Sequence, residues 1–394
     1  MKPIKISTDE LKKGLAYIGC AVGAVAGANQ EADLIYFRTL SKTKAVLQVQ
    51  SDVIVAKTEI KINYPDFADG KRVTALIDFG ILNKYSKLKS GNDSFELDFT
   101  HAESDEALTI KLGTKLVGTM SLVPLDAYEL EEFGNTTKLM DIKSSIFSNI
   151  VGMASHFVDS KKDSCDYIEF LNEKQTLLAF TTDGDILSTF KHNTKADIED
   201  FNISVRGSVL KKLKSFNEST LKMSKTADDY FLVIHDGKDS VKAVIIHSDP
   251  MYSYNEVKEK STKASHSIGW TGDEVSDALA SLECSSQFGG CAFKFKSNDT
   301  IVLSSEGLKD TSTVTELGIT ADKDLKGLLD FKYNTNIQLL RRITALNAKG
   351  NNKVALEFTP HKEGEALALR DMHCIGKQTD ISFDVSFEVT PADA

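Results

Sequence analysis

Five cysteines, Cys20, Cys165, Cys284, Cys291 and Cys374, are the residues of this chain best suited to metal binding, nucleophilic attack or disulfide formation. Scattered over 394 residues, they are too few for a disulfide framework, and a reduced, intracellular chain is the simpler reading. Cys284 and Cys291 are separated by six residues and have no histidine at zinc-ligand spacing, which favours ordinary buried or exposed thiols over a metal site. Asp183 and Asp185 flank Gly184 either as a DxD metal pair or as a tight turn between two strands, and the turn is the simpler account. The eight histidines are scattered, and spacing pairs none of them with a serine or carboxylate. There is no GxxxxGK[ST] loop, no GxGxxG after a strand, no HExxH and no GxSxG. The expectation is a protein without catalysis, cofactor or metal.

The chemistry that remains is electrostatic. The formal net charge is -10, which argues against a uniformly basic surface that coats nucleic acid or anionic lipid. The charge is unevenly placed, however. Six segments with helical periodicity, 9–19, 78–90, 143–157, 206–217, 273–283 and 336–349, carry net charges of 0, +2, +1, +4, -4 and +3, so the helices total +6 and the rest of the chain -16. Helices sharing one surface could hold a polyanion there. Lysines solvated on outward helix faces are the alternative reading, and the fifth segment, with Asp273, Glu274, Asp277 and Glu283, breaks the basic pattern outright. Lys and Arg without interleaved aromatics suit phosphate rather than base edges, so any nucleic-acid contact is expected to be sequence-independent and salt-sensitive.

The elements that position these charges form a repeat. The six segments start 69, 65, 63, 67 and 63 residues apart, close to one sixth of 394. In the second, Ile81, Leu82, Tyr85 and Leu88 fall on one face beside Lys84 and Lys87; in the fourth, Leu210, Leu213 and Phe216 form the apolar stripe. Period-two runs such as DLIYFRTL, TLLAFTTDGD and AFKFKSND follow the helices, with turn chemistry at Asp183-Gly184, Asp236-Gly237 and Ser297-Asn298-Asp299. The unit reads as strand, helix and about three antiparallel strands, an α+β pattern. One helix per four strands cannot supply the crossovers of a parallel sheet. The apolar run from Leu15 to Ala28 is short of a membrane span, and Asp9 and Glu10 stand where a secretion signal is basic, so a helix end and loop are expected there.

ISTDELKKGLAYIGCAVG, EADLIYFRTL, TLLAFTTDGDILSTF, VKAVIIHSDPMYSYNEV and KVALEFTPHKEGEALALRD, in this order and spacing, resemble the bacterial DNA polymerase III beta sliding clamps. The resemblance implies the DNA-clamp fold in three similar domains of two repeats each, 1–134, 135–262 and 263–394. Two copies would close head to tail, with helices lining a channel around double-stranded DNA and sheets outside. It implies a processivity factor that tethers a DNA polymerase and is placed by a clamp loader, both docking by short peptide motifs. The setting would be the cytoplasm of a bacterial cell or phage-infected host, with no membrane partner. The DNA-facing candidates are Lys12, Lys13, Lys84, Lys87, Lys161, Lys162, Arg206, Lys211, Lys214, Arg341 and Arg342. Carried over by motif, Thr182, Gly184, Leu187 and Pro250 would border the peptide pocket between the second and third domains. The chain departs from the family in having Asp185-Ile186 where His-Arg is usual, and in ending DVSFEVTPADA rather than in a Met-Pro-Met-Arg type tail, which points to a divergent, phage-type member. A structural β-rich phage or surface protein, or a hydrolase whose residues converge only in three dimensions, are the alternatives.

Overall fold

The computed structural model describes all residues except 1, 24–32, 89–93, 100–106, 114, 126–129, 131, 163–164, 174, 184–185, 195–199, 214–215, 248–264, 287–288, 308–310, 330, 348–352, 364–365, 369–370 and 392–394. Six α-helices are described: α1 (Thr8–Ile18), α2 (Phe79–Ser86), α3 (Ser144–Ala154), α4 (Gly207–Leu210), α5 (Gly272–Ser285) and α6 (Ile337–Asn347). Each follows directly on a short opening strand: Ile4–Ser7, Thr74–Asp78, Thr136–Lys143, Phe201–Arg206, His266–Thr271 and Lys332–Asn336. Several junctions are capped by the strand's last residue. The Ser7 hydroxyl accepts the Glu10 N–H at 3.2 Å, the Asp78 carboxylate accepts that of Ile81 at 2.7 Å, and Asn336 Oδ1 accepts that of Gln338 at 2.7 Å. Strand chemistry thus gives way to helix at a residue that satisfies the helix's first free donors.

The repeats pair by exchanging these opening strands. Ile4–Ser7 of the first repeat lies against Ser94–Asp98 of the second, while Thr74–Asp78 of the second lies against Leu34–Ser41 of the first. Thr136–Lys143 pairs with Thr220–Thr226 and Phe201–Arg206 with Tyr167–Glu173; likewise His266–Thr271 pairs with Lys353–Phe358 and Lys332–Asn336 with Gly290–Ser297. All of these pairings are antiparallel.

The chain divides into two compact units, Met1–Ser148 with Val209–Ser248, and Asn149–Ser208 with Asp249–Ala394. In the first unit an eight-stranded sheet is continuous because Ile54–Lys61, the last strand of the first repeat, pairs with Ser240–Ile245, the last strand of the fourth. A separate four-stranded sheet ends at Lys115–Ser121. In the second unit a nine-stranded sheet is continuous because Ile186–Asn193 of the third repeat pairs with Ile381–Glu388 of the sixth. A five-stranded sheet there ends at Ser312–Gly318.

Core packing follows the pattern read from sequence in most helices. In α1, Leu11, Leu15 and Ile18 are fully buried, and Gly14 brings the helix so close to the sheet that a Cβ there would stand 2.7 Å from Ile60 Cγ2 and 2.9 Å from Leu47 Cδ1. In α2, by contrast, Leu82 is buried but Ile81 and Leu88 of the expected stripe are exposed. The fourth segment departs further. Its helix lasts one turn, and Lys212 and Leu213 donate to carbonyls three residues back rather than four. The chain is then drawn off the helical path by Asp236, whose carboxylate accepts the N–H groups of Asn217 at 2.6 Å and Glu218 at 2.7 Å. Leu210 and Leu213 are buried as expected, while Phe216 leaves the stripe to pack edge-on against Phe147 and beside the ammonium of the fully buried Lys242, which Tyr17 faces from its other neighbour α1.

All five cysteines are free thiols; Cys284 is exposed, whereas Cys165, Cys291 and Cys374 are buried. Burial pushes the Cys291 thiol up to about 12. Iodoacetamide at pH 8 should therefore modify Cys284 first and leave Cys291 and Cys374 unmodified until denaturant is added, as read by peptide mass mapping. Replacing Gly14 with Val should lower stability by about 2 kcal/mol through overpacking against Ile60 and Leu47, measured as a lower urea midpoint at unchanged m.

Candidate functional site

The cations expected to meet phosphate occupy different environments. In the first unit, Lys12 and Lys13 are exposed on α1 opposite its buried stripe. Lys84 and Lys87 are exposed at the C-terminal end of α2, where positive charge also complements the helix dipole. Lys211 is exposed beyond α4, and its neighbour Lys212 reaches the Gly23 carbonyl at 3.4 Å. Lys214 lies outside the described residues.

In the second unit, Lys161 and Lys162 are exposed on the turn after α3, which Asp159 shapes by accepting the Lys161 N–H at 3.0 Å on its side chain and the Lys162 N–H at 3.0 Å on its carbonyl. Arg206 is exposed at the end of its strand, with its guanidinium 5.7 Å from the Tyr167 ring centre. Arg341 and Arg342 of α6 are both engaged within the protein. Arg341 pairs with Glu283 at 2.6 Å, and Arg342 with Asp183 at 2.7 Å. The acidic fifth helix therefore has an internal use: Glu283 takes Arg341 and also the Gln338 side-chain amide at 2.9 Å, while Asp273 and Glu274 sit in the first turn of α5, where negative charge stabilises the helix. Sequence spacing could not reveal Glu283 and Asp183 as partners, because 58 and 159 residues separate them from their arginines.

Among the residues expected at a peptide pocket, Thr182 and Leu187 face each other across the hairpin, and Gly184 and Pro250 lie outside the described residues. Asp183 behaves as a turn residue: its N–H donates to the Ile186 carbonyl at 3.3 Å and its carboxylate accepts the Ile186 N–H at 2.9 Å. Antiparallel register continues the Thr182–Leu187 row through Ser386, His373 and Glu357 on one face of the nine-stranded sheet. His373 Nδ1 is 3.1 Å from Asp384 Oδ1, and the Glu357 carboxyl is raised above its usual range by burial and then by the Asp384 charge. Ile381–Glu388 thus runs as a strand beside Ile186–Asn193, with Ser386 opposite Leu187 and Asp384 opposite Thr189. Among the described residues, no three His, Cys, Asp or Glu side chains are grouped to hold a metal, and no helix is long and apolar enough to cross a membrane.

Neither a family model nor a curated protein matches the chain by sequence. Solved structures match it over its whole length. The DNA polymerase III subunit beta of Pseudomonas aeruginosa superposes with a TM-score of 0.82 at 11% identity, covering 98% of this chain and 99% of that one. The chain has the β-clamp fold. The beta subunit of Streptococcus pyogenes superposes with a TM-score of 0.82 at 11% identity over 99% of this chain and 100% of that one, and the Helicobacter pylori beta clamp, solved with 3,4-difluorobenzamide, with 0.77 at 16% over 100% of both. Such low identities with nearly complete coverage mean that the clamp fold here is carried by hydrophobic pattern and strand pairing rather than by shared residues.

The different surroundings of the cations predict different effects on duplex DNA. Lys12→Ala with Lys13→Ala should reduce the slope of log affinity against log salt by up to about two. Arg341→Ala should reduce it by less than about half a unit, because Glu283 already neutralises that guanidinium. Fluorescence anisotropy over a salt series measures both.

Proposed function

We propose that the chain is a sliding clamp: two copies close head to tail into a ring around duplex DNA and hold a DNA polymerase to its template. The observation that carries this reading is the rule by which last strands pair. The last strand of the first repeat joins that of the fourth, and the last strand of the third joins that of the sixth. Each partner lies three repeats further on. The same rule assigns the last strand of the second repeat, Lys115–Ser121, to that of the fifth, Ser312–Gly318, and both of these stand at sheet edges in this chain. A second copy would supply both pairings at once, which is a heterologous contact that closes on itself.

Exposed apolar side chains support the assignment. Val314 in Ser312–Gly318 is 63% exposed, and so are, in part, Ile81 of α2 and Leu88 just past its C-terminal end, on either side in sequence of Tyr85, whose ring packs over Gly118 of Lys115–Ser121. Strand exchange between neighbouring repeats supports three domains, 1–134, 135–262 and 263–394. The described exposed lysines Lys12, Lys13, Lys84, Lys87, Lys161, Lys162 and Lys211, with Arg206, would make weak contacts to phosphate, which suits sliding better than tight binding. The polymerase and the loader would dock by short peptides near Thr182 and Leu187, and the ring itself would carry out no catalysis. The matching structures include DNA polymerase subunits and sliding clamps, in keeping with this role.

Topological linkage gives the test. Protein loaded by its cognate loader should stay on nicked circular duplexes through a high-salt wash and run off linear ones; equal retention on both would rule out encirclement.

A further inference from the structure

Arg342 stands in the second turn of α6, and sequence alone marks it as a phosphate ligand. Its Nη1 donates instead to Asp183 Oδ2 at 2.7 Å. The Asp183 side chain is only 13% exposed, so its charge is largely removed from water and requires a counter-charge. Asp183 is also the residue that closes the hairpin. Its Oδ1 accepts the Ile186 N–H at 2.9 Å, its own N–H donates to the Ile186 carbonyl at 3.3 Å, and its carbonyl accepts Lys162 Nζ at 3.4 Å. Thr182 and Leu187, the flanking residues, are registered directly against each other by this closure. The guanidinium therefore grips the one carboxylate whose second oxygen sets the turn.

We propose that Arg342 is a positioning residue that holds the Thr182–Leu187 hairpin end in place, and so links α6 to the site where partner peptides dock. The docking role of that hairpin rests on the function proposed above; the ion pair and its effect on the hairpin do not.

Hydrogen exchange read by mass spectrometry on the full chain tests the proposal. In Arg342→Ala, amide exchange in the fragment spanning 181–188 should rise about fivefold, with the strand Tyr167–Glu173 unchanged as a control for folding. Asp183→Asn keeps an acceptor for Ile186 but loses the ion pair, and it should show a similar rise; the double variant should exceed neither single variant, and Arg342→Lys should recover part of the protection. Unchanged exchange in 181–188 in both single variants, or additive effects in the double variant, would overturn the proposal. If the wild-type chain fails to be retained on circular DNA while Arg342→Ala still raises exchange, the clamp reading falls and the positioning role stands.

Discussion

The fold depends on strands that finish one repeat finding the strands that finish another. An antiparallel edge presents unpaired N–H and C=O groups that must be paired or shielded. In this chain Ile54–Lys61 is satisfied by Ser240–Ile245, and Ile186–Asn193 by Ile381–Glu388. These two junctions join four strands to four and four to five, giving sheets of eight and nine strands. The tail residues matter for the same reason. Ile381–Glu388 completes the sheet through its alternation, with Ile381, Phe383, Val385 and Phe387 inward and serine and aspartate outward.

Sheet continuity in turn positions the helices and their charges. Opening strands exchanged between neighbouring repeats end in capping residues such as Ser7, Asp78 and Asn336, so each helix starts at a point fixed by its sheet. The charges then divide by use. Lys12, Lys13, Lys84, Lys87, Lys161 and Lys211 point to solvent, whereas Arg341 and Arg342 tie α6 to α5 and to the Asp183 turn. The +3 counted on the sixth segment is therefore a poor measure of what that segment offers to a phosphate. The -4 on the fifth is partly the complement of it.

Local chemistry was legible in the sequence, and long-range pairing was not. Periodicity and turn residues located all six strand-helix starts because these are decided by neighbours a few residues apart. The exchange of opening strands and the pairing of last strands join residues up to about 200 positions apart, and alternation alone is compatible with many partners. The fourth helix is shorter than its sequence suggests: the pattern stays regular to Phe216, whereas Asp236 on a distant hairpin captures the backbone at Asn217 and Glu218. Ile81, Leu82, Tyr85 and Leu88 share one face in sequence, but periodicity reports a face without saying how wide the cover is, and Ile81 and Leu88 fall outside it. Candidate cations were legible by type, and their ion-pair partners only in three dimensions.

Single-particle imaging of the purified full chain at micromolar concentration tests the account at its centre, the pairing of Lys115–Ser121 with Ser312–Gly318 of a second copy. Closed rings of two copies with an open hole wide enough for duplex DNA are the expected result. Isolated single copies with both edges unpaired, or open filaments from a contact that does not close, would contradict it.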